Sequence, residues 1–515
     1  HSNKLTDTQG FRISASYLDN KGWRDHTGSK RAEITLRHEL ALNENERLVT
    51  SFVISDLEQE MAAGLSEDLY NNNKTDSGLA DEVLASDPLR KTEYMRLSTQ
   101  WDKTDDDSYY SLIPYLRLRT NDYTATWNQN MPKVESEVKT LGLLALANFE
   151  HSQGMLRDSE TTIGLDIEFT EGDQLSYQPL DFTTSGWGAD TFVKGEKFYD
   201  DTTKYTGLSP YIQHKGALTE HLDYTLGARY DYAKYDFDNH LAVYGDIGHG
   251  KLSLEDKAND FTHLSPKASL NYHINDDSSV YLRYANSFRL PTAGSLYHLT
   301  TKDDGNAKAV DPEVSDTYEL GYKANLKKVT FDFALYYMDV DDGIVHAYND
   351  AGQRYLTNAS RVIHKGFEAA MLWKINDDLN ISTAYSQAKH EFAQHDQYSG
   401  NEMAAAPEFI ANIRLRYTPT ALPGLSSMLE MQSIGEYWLD DANSQDSEGS
   451  NRKDDGYSIV NLKARYQINN QVSVHARLLN ITDKEYAQEA SFRYGRTSYS
   501  PGAPRTLYVG FNYQW

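Results

Sequence analysis

The chain has 515 residues, a formal net charge of −26 and no cysteine. That excludes disulfides and cysteine-ligated metal, and it argues against a nucleic-acid partner, which needs basic surface. No run of about 18 apolar residues occurs, so no membrane-crossing helix is readable. Mean hydropathy is −0.67, yet 37 tyrosines and 12% aromatic residues are many for a polar soluble chain. A transmembrane β-barrel reconciles these facts. Only alternate residues of each strand face lipid, and Tyr and Trp are favoured at the two membrane interfaces.

The start, His1-Ser2-Asn3-Lys4, lacks the charged and apolar regions of a signal peptide. The pattern is strand-like by Phe11. A long polar stretch, Met61 to Lys91, follows the first hairpins. Tyr115, Arg117 and Arg119 then alternate with Leu116 and Leu118 and lead into a predicted loop from Asn121 to Lys133. Further long loops are predicted over Glu171 to Lys204, Tyr235 to Phe261, His390 to Ala406 and Trp438 to Gly456.

Between them lie tight hairpins. Pro266, Ala268, Leu270, Tyr272 and Ile274 share one face, and Lys267, Ser269, Asn271 and His273 the other. The turn Asn275-Asp276-Asp277-Ser278 leads to a return strand with Val280, Leu282 and Tyr284 against Tyr281 and Arg283. The unit recurs around Leu326-Lys327-Lys328, Asn376-Asp377-Asp378 and Asn469-Asn470-Gln471, where Asn and Asp suit the positive φ of hairpin turns. The chain ends on an unbroken alternation of Leu507, Val509, Phe511, Tyr513 and Trp515. As a soluble edge strand this would be an aggregation hazard.

Short turns on one side and long loops on the other are the periplasmic and extracellular ends of an outer-membrane barrel. The expected fold class is all-β, a transmembrane antiparallel β-barrel of about 20–22 strands, which at this width needs its lumen filled. The face opposite the apolar one collects bases: Arg117, Arg119, Arg229, Arg283, Arg414, Arg416, Lys463, Arg465, His475 and Arg477. Two readings compete for them. Arg pairs bidentately with carboxylates and keeps its charge, which suits an anionic ferric chelate. The alternative is docking of an acidic surface inside the barrel. No phosphate-binding glycine loop, cysteine zinc site or nucleophile elbow is present, so no enzyme and no catalytic residue is expected. Asp105-Asp106-Asp107 and Asp339-Val340-Asp341-Asp342 do not match a calcium loop and read as solvated turns.

Several motifs carry a family resemblance. Arg477-Leu478-Leu479-Asn480-Ile481-Thr482-Asp483-Lys484-Glu485-Tyr486-Ala487 resembles the penultimate-strand motif of TonB-dependent outer-membrane receptors. Pro501-Gly502-Ala503-Pro504-Arg505, Ser287-Phe288-Arg289-Leu290-Pro291-Thr292 and Asp311-Pro312-Glu313-Val314-Ser315-Asp316-Thr317-Tyr318-Glu319-Leu320-Gly321 are similar to theirs, in the family's order. Phe11 to Asp25 resembles its second and third strands. The resemblance implies a 22-strand barrel, usually preceded by a plug whose TonB box is pulled by the TonB-ExbB-ExbD complex. Residues 1–515 then form the barrel domain alone, without the plug and the first strand.

The resemblance further implies a monomer in the outer membrane of a Gram-negative bacterium, in contact with lipid and lipopolysaccharide. It implies import of a small-molecule iron complex, a ferric siderophore first, with no resident cofactor. The alternatives are a haem receptor, import of cobalamin, another metal complex or an oligosaccharide, and, from another class, a passive porin or an usher barrel. Ligand contacts are expected at Arg117, Arg119, Arg283, Tyr297 and His298. Haem receptors of the family carry an axial His in this region, so His298 is a metal ligand only in the haem reading.

Overall fold

In the computed structural model, the structure describes residues 2–125, 133–152, 158–179, 194–241, 256–297, 310–348, 354–493 and 495–514. A 21-stranded sheet dominates, antiparallel at every pairing, with neighbours in sequence as neighbours in the sheet. Its first arc is β1 (Ser2–Thr6), β2 (Gln9–Asn20), β3 (Ser29–Ala41), β4 (Glu46–Glu60), β5 (Leu89–Asp105) and β6 (Ser108–Thr124). The second is β7 (Lys133–His151), β8 (Ser159–Pro179), β9 (Lys194–Thr219), β10 (Leu222–Asn239), β11 (Lys257–Asn275) and β12 (Ser278–Arg289). The third runs through β13 (Glu313–Asn325), β14 (Val329–Tyr348), β15 (Arg354–Lys374), β16 (Leu379–Gln394), β17 (Phe409–Tyr417) and β18 (Leu425–Ile434). After the small pair β19 (Tyr437–Trp438) and β20 (Lys453–Asp454), the wall resumes with β21 (Tyr457–Gln467) and β22 (Val472–Leu479). A separate hairpin, β23 (Ala487–Arg493) and β24 (Arg496–Pro501), precedes the last strand, β25 (Thr506–Tyr513).

Register explains why this sheet belongs in lipid. Leu270, Leu282, Leu320, Leu335 and Phe367 lie opposite one another across β11 to β15. The four leucines are 43–55% exposed. In water such a row would drive aggregation; against acyl chains it matches its solvent. One residue along each strand, the other face runs Ser269, Arg283, Glu319, Tyr336 and Gly366. The final strand behaves alike, with Leu507, Val509 and Phe511 exposed on one face; Trp515 lies outside the described residues. Among the described residues no helix is long and apolar enough to cross a membrane.

The expected tight turns fall where the sequence places them, but for a different reason. None of their residues has positive φ. Instead Asn275 Oδ1 accepts from Asp277 N (3.0 Å), Asn376 Oδ1 from Asp378 N (3.0 Å) and Asn469 Oδ1 from Gln471 N (2.9 Å). These are Asx turns, in which the side chain imitates the backbone.

At the long-loop end the strands outrun the predicted boundaries. β8 continues to Pro179 and β9 begins at Lys194, so much of the Glu171 to Lys204 stretch is wall. β10 reaches Asn239 and β16 reaches Gln394. β6 runs on to Thr124, which places Arg117 and Arg119 inside the wall and not at a loop mouth. Likewise Phe11 to Asp25 covers most of β2 and the start of a loop, since β3 begins at Ser29. Above the membrane both faces of a strand are wet, and the period-two signal fades.

Three apolar clusters order the long-loop end. Short helices α1 (Glu67–Asn72) and α2 (Asp81–Ala85) fill the loop after β4, and α3 (Ala293–Tyr297) follows β12. Tyr437, Leu439, Ala487 and Ala490 form one cluster, joined by Tyr70 of α1, which stacks on Tyr499 at 4.5 Å. Phe237, Leu296 and Tyr297 form another, and Val340, Val345, Val362, Phe392 and Tyr398 the third.

Candidate functional site

The face turned away from the lipid-matched leucines carries the charge. On β8 the carboxylates of Asp166 and Glu168 stand between bases from both sides. Arg229 of β10 donates to Asp166 (2.6 Å) and to Asp231 (2.8 Å). Arg117 of β6 lies 3.8 Å from Glu168 and donates to Thr140 Oγ1 (3.1 Å). Arg96 of β5 is paired directly opposite Arg117, an unfavourable juxtaposition of like charges, and its guanidinium lies 5.7 Å from the Tyr115 ring centre.

Glycines set this geometry. A Cβ on Gly142 would fall 2.2 Å from the Tyr115 ring, one on Gly164 2.0 Å from Tyr211 and one on Gly321 2.2 Å from Tyr281. Each tyrosine therefore lies flat over the neighbouring strand. Tyr115 Oη then donates to Glu168 and Tyr281 Oη to Glu319, both at 2.6 Å. Flat rings cover the glycine backbone and give the carboxylates fixed partners.

Further round, Arg229, Lys267, Arg283, Asp166 and Tyr211 line a lumen-side cavity of about 590 Å³. Arg283 is paired across the strand with Glu319, but that carboxylate is engaged by Tyr281. Among the described residues Arg119, Lys267 and Arg283 make no ion pair within 4.0 Å. All three are exposed. A second cavity of about 710 Å³ is of opposite sign, lined by Glu319, Asp332 and Glu368 with Tyr281 and Tyr336. A third cluster is closed on itself: buried Glu430 accepts from Arg414 (2.6 Å) and Lys463 (2.9 Å). Among the described residues no group of three or more His, Cys, Asp or Glu is placed to hold a metal ion.

Of the residues singled out in the sequence, Arg283 joins Arg229 and Lys267, while Arg117 and Arg119 sit six strands round the wall. Asp166 and Glu168 link the two groups. Tyr297 meets a different fate: it is 1% exposed, stacks on Phe237 at 4.5 Å and donates to Asn259 (2.9 Å). Its ring is loop packing and presents no surface to a ligand. His298 lies outside the described residues. Lys267, Asp166 and Tyr211 were missed as site residues, although the alternation around Pro266 already put Lys267 on the polar face.

A family model described as "TonB dependent receptor-like, beta-barrel" matches residues 3–481. The chain belongs to this family. TonB-dependent receptors are receptors and not enzymes. The ferric-pyoverdine 358 receptor of Pseudomonas putida is 25% identical over 357 residues, 66% of this chain and 39% of the relative. The catecholate siderophore receptor Fiu of Escherichia coli K12 is 24% identical over 57% of this chain and 40% of its own length. The chain thus spans about two fifths of the curated relatives it matches. Among solved structures, the ferric yersiniabactin uptake receptor FyuA of Yersinia pestis superimposes with a TM-score of 0.78 at 17% identity, over 99% of this chain and 76% of its own. The ferripyoverdine receptor of the Pseudomonas aeruginosa outer membrane, bound to ferripyoverdine, gives 0.77 at 18%, over 99% and 69%. At these identities the likeness is one of fold.

Proposed function

We propose that this chain is the barrel of an outer-membrane receptor that imports an anionic ferric siderophore by TonB-dependent active transport. The observation that carries the reading is the basic arc of the lumen wall. Arg96, Arg117, Arg119, Arg229, Lys267 and Arg283 gather there around Asp166, Glu168, Asp231 and the tyrosine-bound Glu319, bases outnumbering these carboxylates, in a chain of net charge −26. A saturated ferric chelate needs charge, hydrogen bonds and aromatic surface from the protein, and no iron ligand. The named ligands of the relatives are ferric siderophores, which supports the same reading.

We also infer that a plug domain and one more strand complete the barrel. β1 and β25 end the sheet, both run from the long-loop end to the short-turn end, and no pairing joins them among the described residues. One antiparallel strand fits between them and brings the count to 22. The plug would dock on the lumen wall, carry the TonB box that engages TonB-ExbB-ExbD, and close the pore at rest.

The test is equilibrium binding of purified ferric hydroxamate, catecholate and carboxylate siderophores to the full-length receptor, paired with growth of a deletion strain on each. One class should bind, and Arg283→Gln and Lys267→Gln should each weaken it about tenfold, the loss of one charge-assisted contact. If growth on every iron source survives deletion while another nutrient is lost, the iron assignment falls. A large conductance of the resting full-length protein would favour a passive pore instead.

A further inference from the structure

A different part of the wall holds two imidazoles in contact. His364 of β15 and His390 of β16 are directly paired across the strands, with Nδ1 to Nδ1 at 2.5 Å and ring centres 4.8 Å apart. Their parity places them on the face of Glu368 and Ser386, toward the lumen. Met338 of β14 is paired directly opposite His364 on its other side. The row is therefore Met338, His364, His390.

The loop after β16 folds back over this row. Gly400 N donates to Phe392 O (2.7 Å), Phe392 N to Asn401 O (2.9 Å) and Met403 N to His390 O (2.9 Å). Tyr398 and Met403 pack with Met338 on Val340, Val362 and Phe392, one rung above the histidines. The nearby third histidine is already used: His395 Nδ1 accepts from Gln397 N (3.0 Å) and stacks on Tyr398. The carboxylates around it are used as well. Glu313 holds Arg289 through two bonds of 2.6 Å, Asp339 holds Arg361, and Glu391 holds Lys365.

We propose that His364, His390 and Met338 form a binding site for a cuprous ion. Two rings in Nδ1 contact share one proton, and both cannot be charged at that separation. A metal in its place uses both lone pairs. Metal–nitrogen bonds of about 2.0 Å at a near-tetrahedral angle set the two nitrogens roughly 3.3 Å apart, a small opening of the present pair. The Nδ1 proton moves to Nε2 of the same ring, so no proton is released overall. Two imidazoles, a thioether, no free carboxylate and an apolar roof form a soft donor set, which selects Cu(I) over Zn(II).

The test is anaerobic titration of the full-length receptor in detergent with Cu(I) against a chromogenic chelator, with X-ray absorption at the copper edge. One equivalent should bind, with nitrogen and one sulfur around the copper. His364→Ala and His390→Ala should each weaken binding about 100-fold, and Met338→Leu about tenfold with loss of the sulfur signal. Heat-modifiable mobility on gels shows that each variant keeps its barrel. Substoichiometric binding by the wild type, or histidine variants that bind like it, would overturn the site. Tighter binding of Zn(II), unchanged in Met338→Leu, would overturn the cuprous assignment.

Discussion

Glu430 offers the sharpest test of how the lumen wall is held. Its side chain is 2% exposed, while its partners Arg414 and Lys463 are 48% and 36% exposed. Glu430→Gln leaves an amide oxygen for Arg414 but turns an NH2 group toward Lys463 Nζ. Removing one partner of a buried pair costs about 3–5 kcal/mol. Here the half-wet cations recover part of that by hydration. The net expected loss is about 2 kcal/mol, one charge-assisted bond plus a new donor–donor contact. Equilibrium urea unfolding in detergent micelles reads it directly. The companion variant Glu430→Gln with Lys463→Met removes the clashing cation and should regain about 1 kcal/mol. A single variant within about 0.5 kcal/mol of wild type, or a double variant no better than the single, would refute the account.

Asn480 sits at φ +48°, 2% exposed, and its amide bonds Lys484 O, Ala503 O and Lys484 N. Asn480→Ala should destabilise the loop before β25 by about 3 kcal/mol, seen as protease nicking after residue 480. Asp441, in the loop after β19, is held above its ordinary value of 3.8 by burial, although Ala404 N donates to it. A raised folded value means full stability below pH 3.8, lost as pH rises through the folded value. Limited proteolysis of that loop should therefore increase across this window, and Asp441→Asn should abolish the pH dependence. Salt should act in two directions on an anionic chelate. Raising it screens the acidic loops and speeds association, while it weakens the lumen ion pairs and raises Kd; an on-rate that falls with salt contradicts the charge layout.

The sequence carried the architecture better than the site. The hairpins around Asn275, Leu326, Asn376 and Asn469 were legible because one face of each strand meets lipid, which enforces alternation. The upper halves of β8, β9 and β10 were not, because above the membrane both faces are wet. Charge on the inner face was legible for Arg283, since Leu282 and Tyr284 flank it. Which bases converge was not, because that depends on register. Only the pairing of β10 with β11 and of β11 with β12 puts Arg229, Lys267 and Arg283 together. Tyr297 misled for a related reason: a loop aromatic next to a predicted ligand-binding loop looks available until Phe237 is seen against it.

The contrast between a net charge of −26 and a basic lumen arc is the physical heart of the molecule. Net charge averages over surfaces that a ligand never meets together. The loop from Asp440 to Asp455 is acidic, and its charges are screened within about 8 Å at physiological salt. The lumen bases act at short range, through charge-assisted contacts that an Arg makes bidentately. Arg96 faces Arg117, and Arg119, Lys267 and Arg283 make no ion pair among the described residues, so β5–β12 carry bases without carboxylate partners. The arc of Glu319, Glu368 and Asp332, the last 3.6 Å from Lys323, adjoins these strands and carries more carboxylates than bases. An anion in the lumen is thereby favoured beside the bases of β5–β12 over the carboxylates of β13–β15. A wall whose bases were each engaged by a carboxylate, as Arg414 and Lys463 are by Glu430, would show a weaker preference.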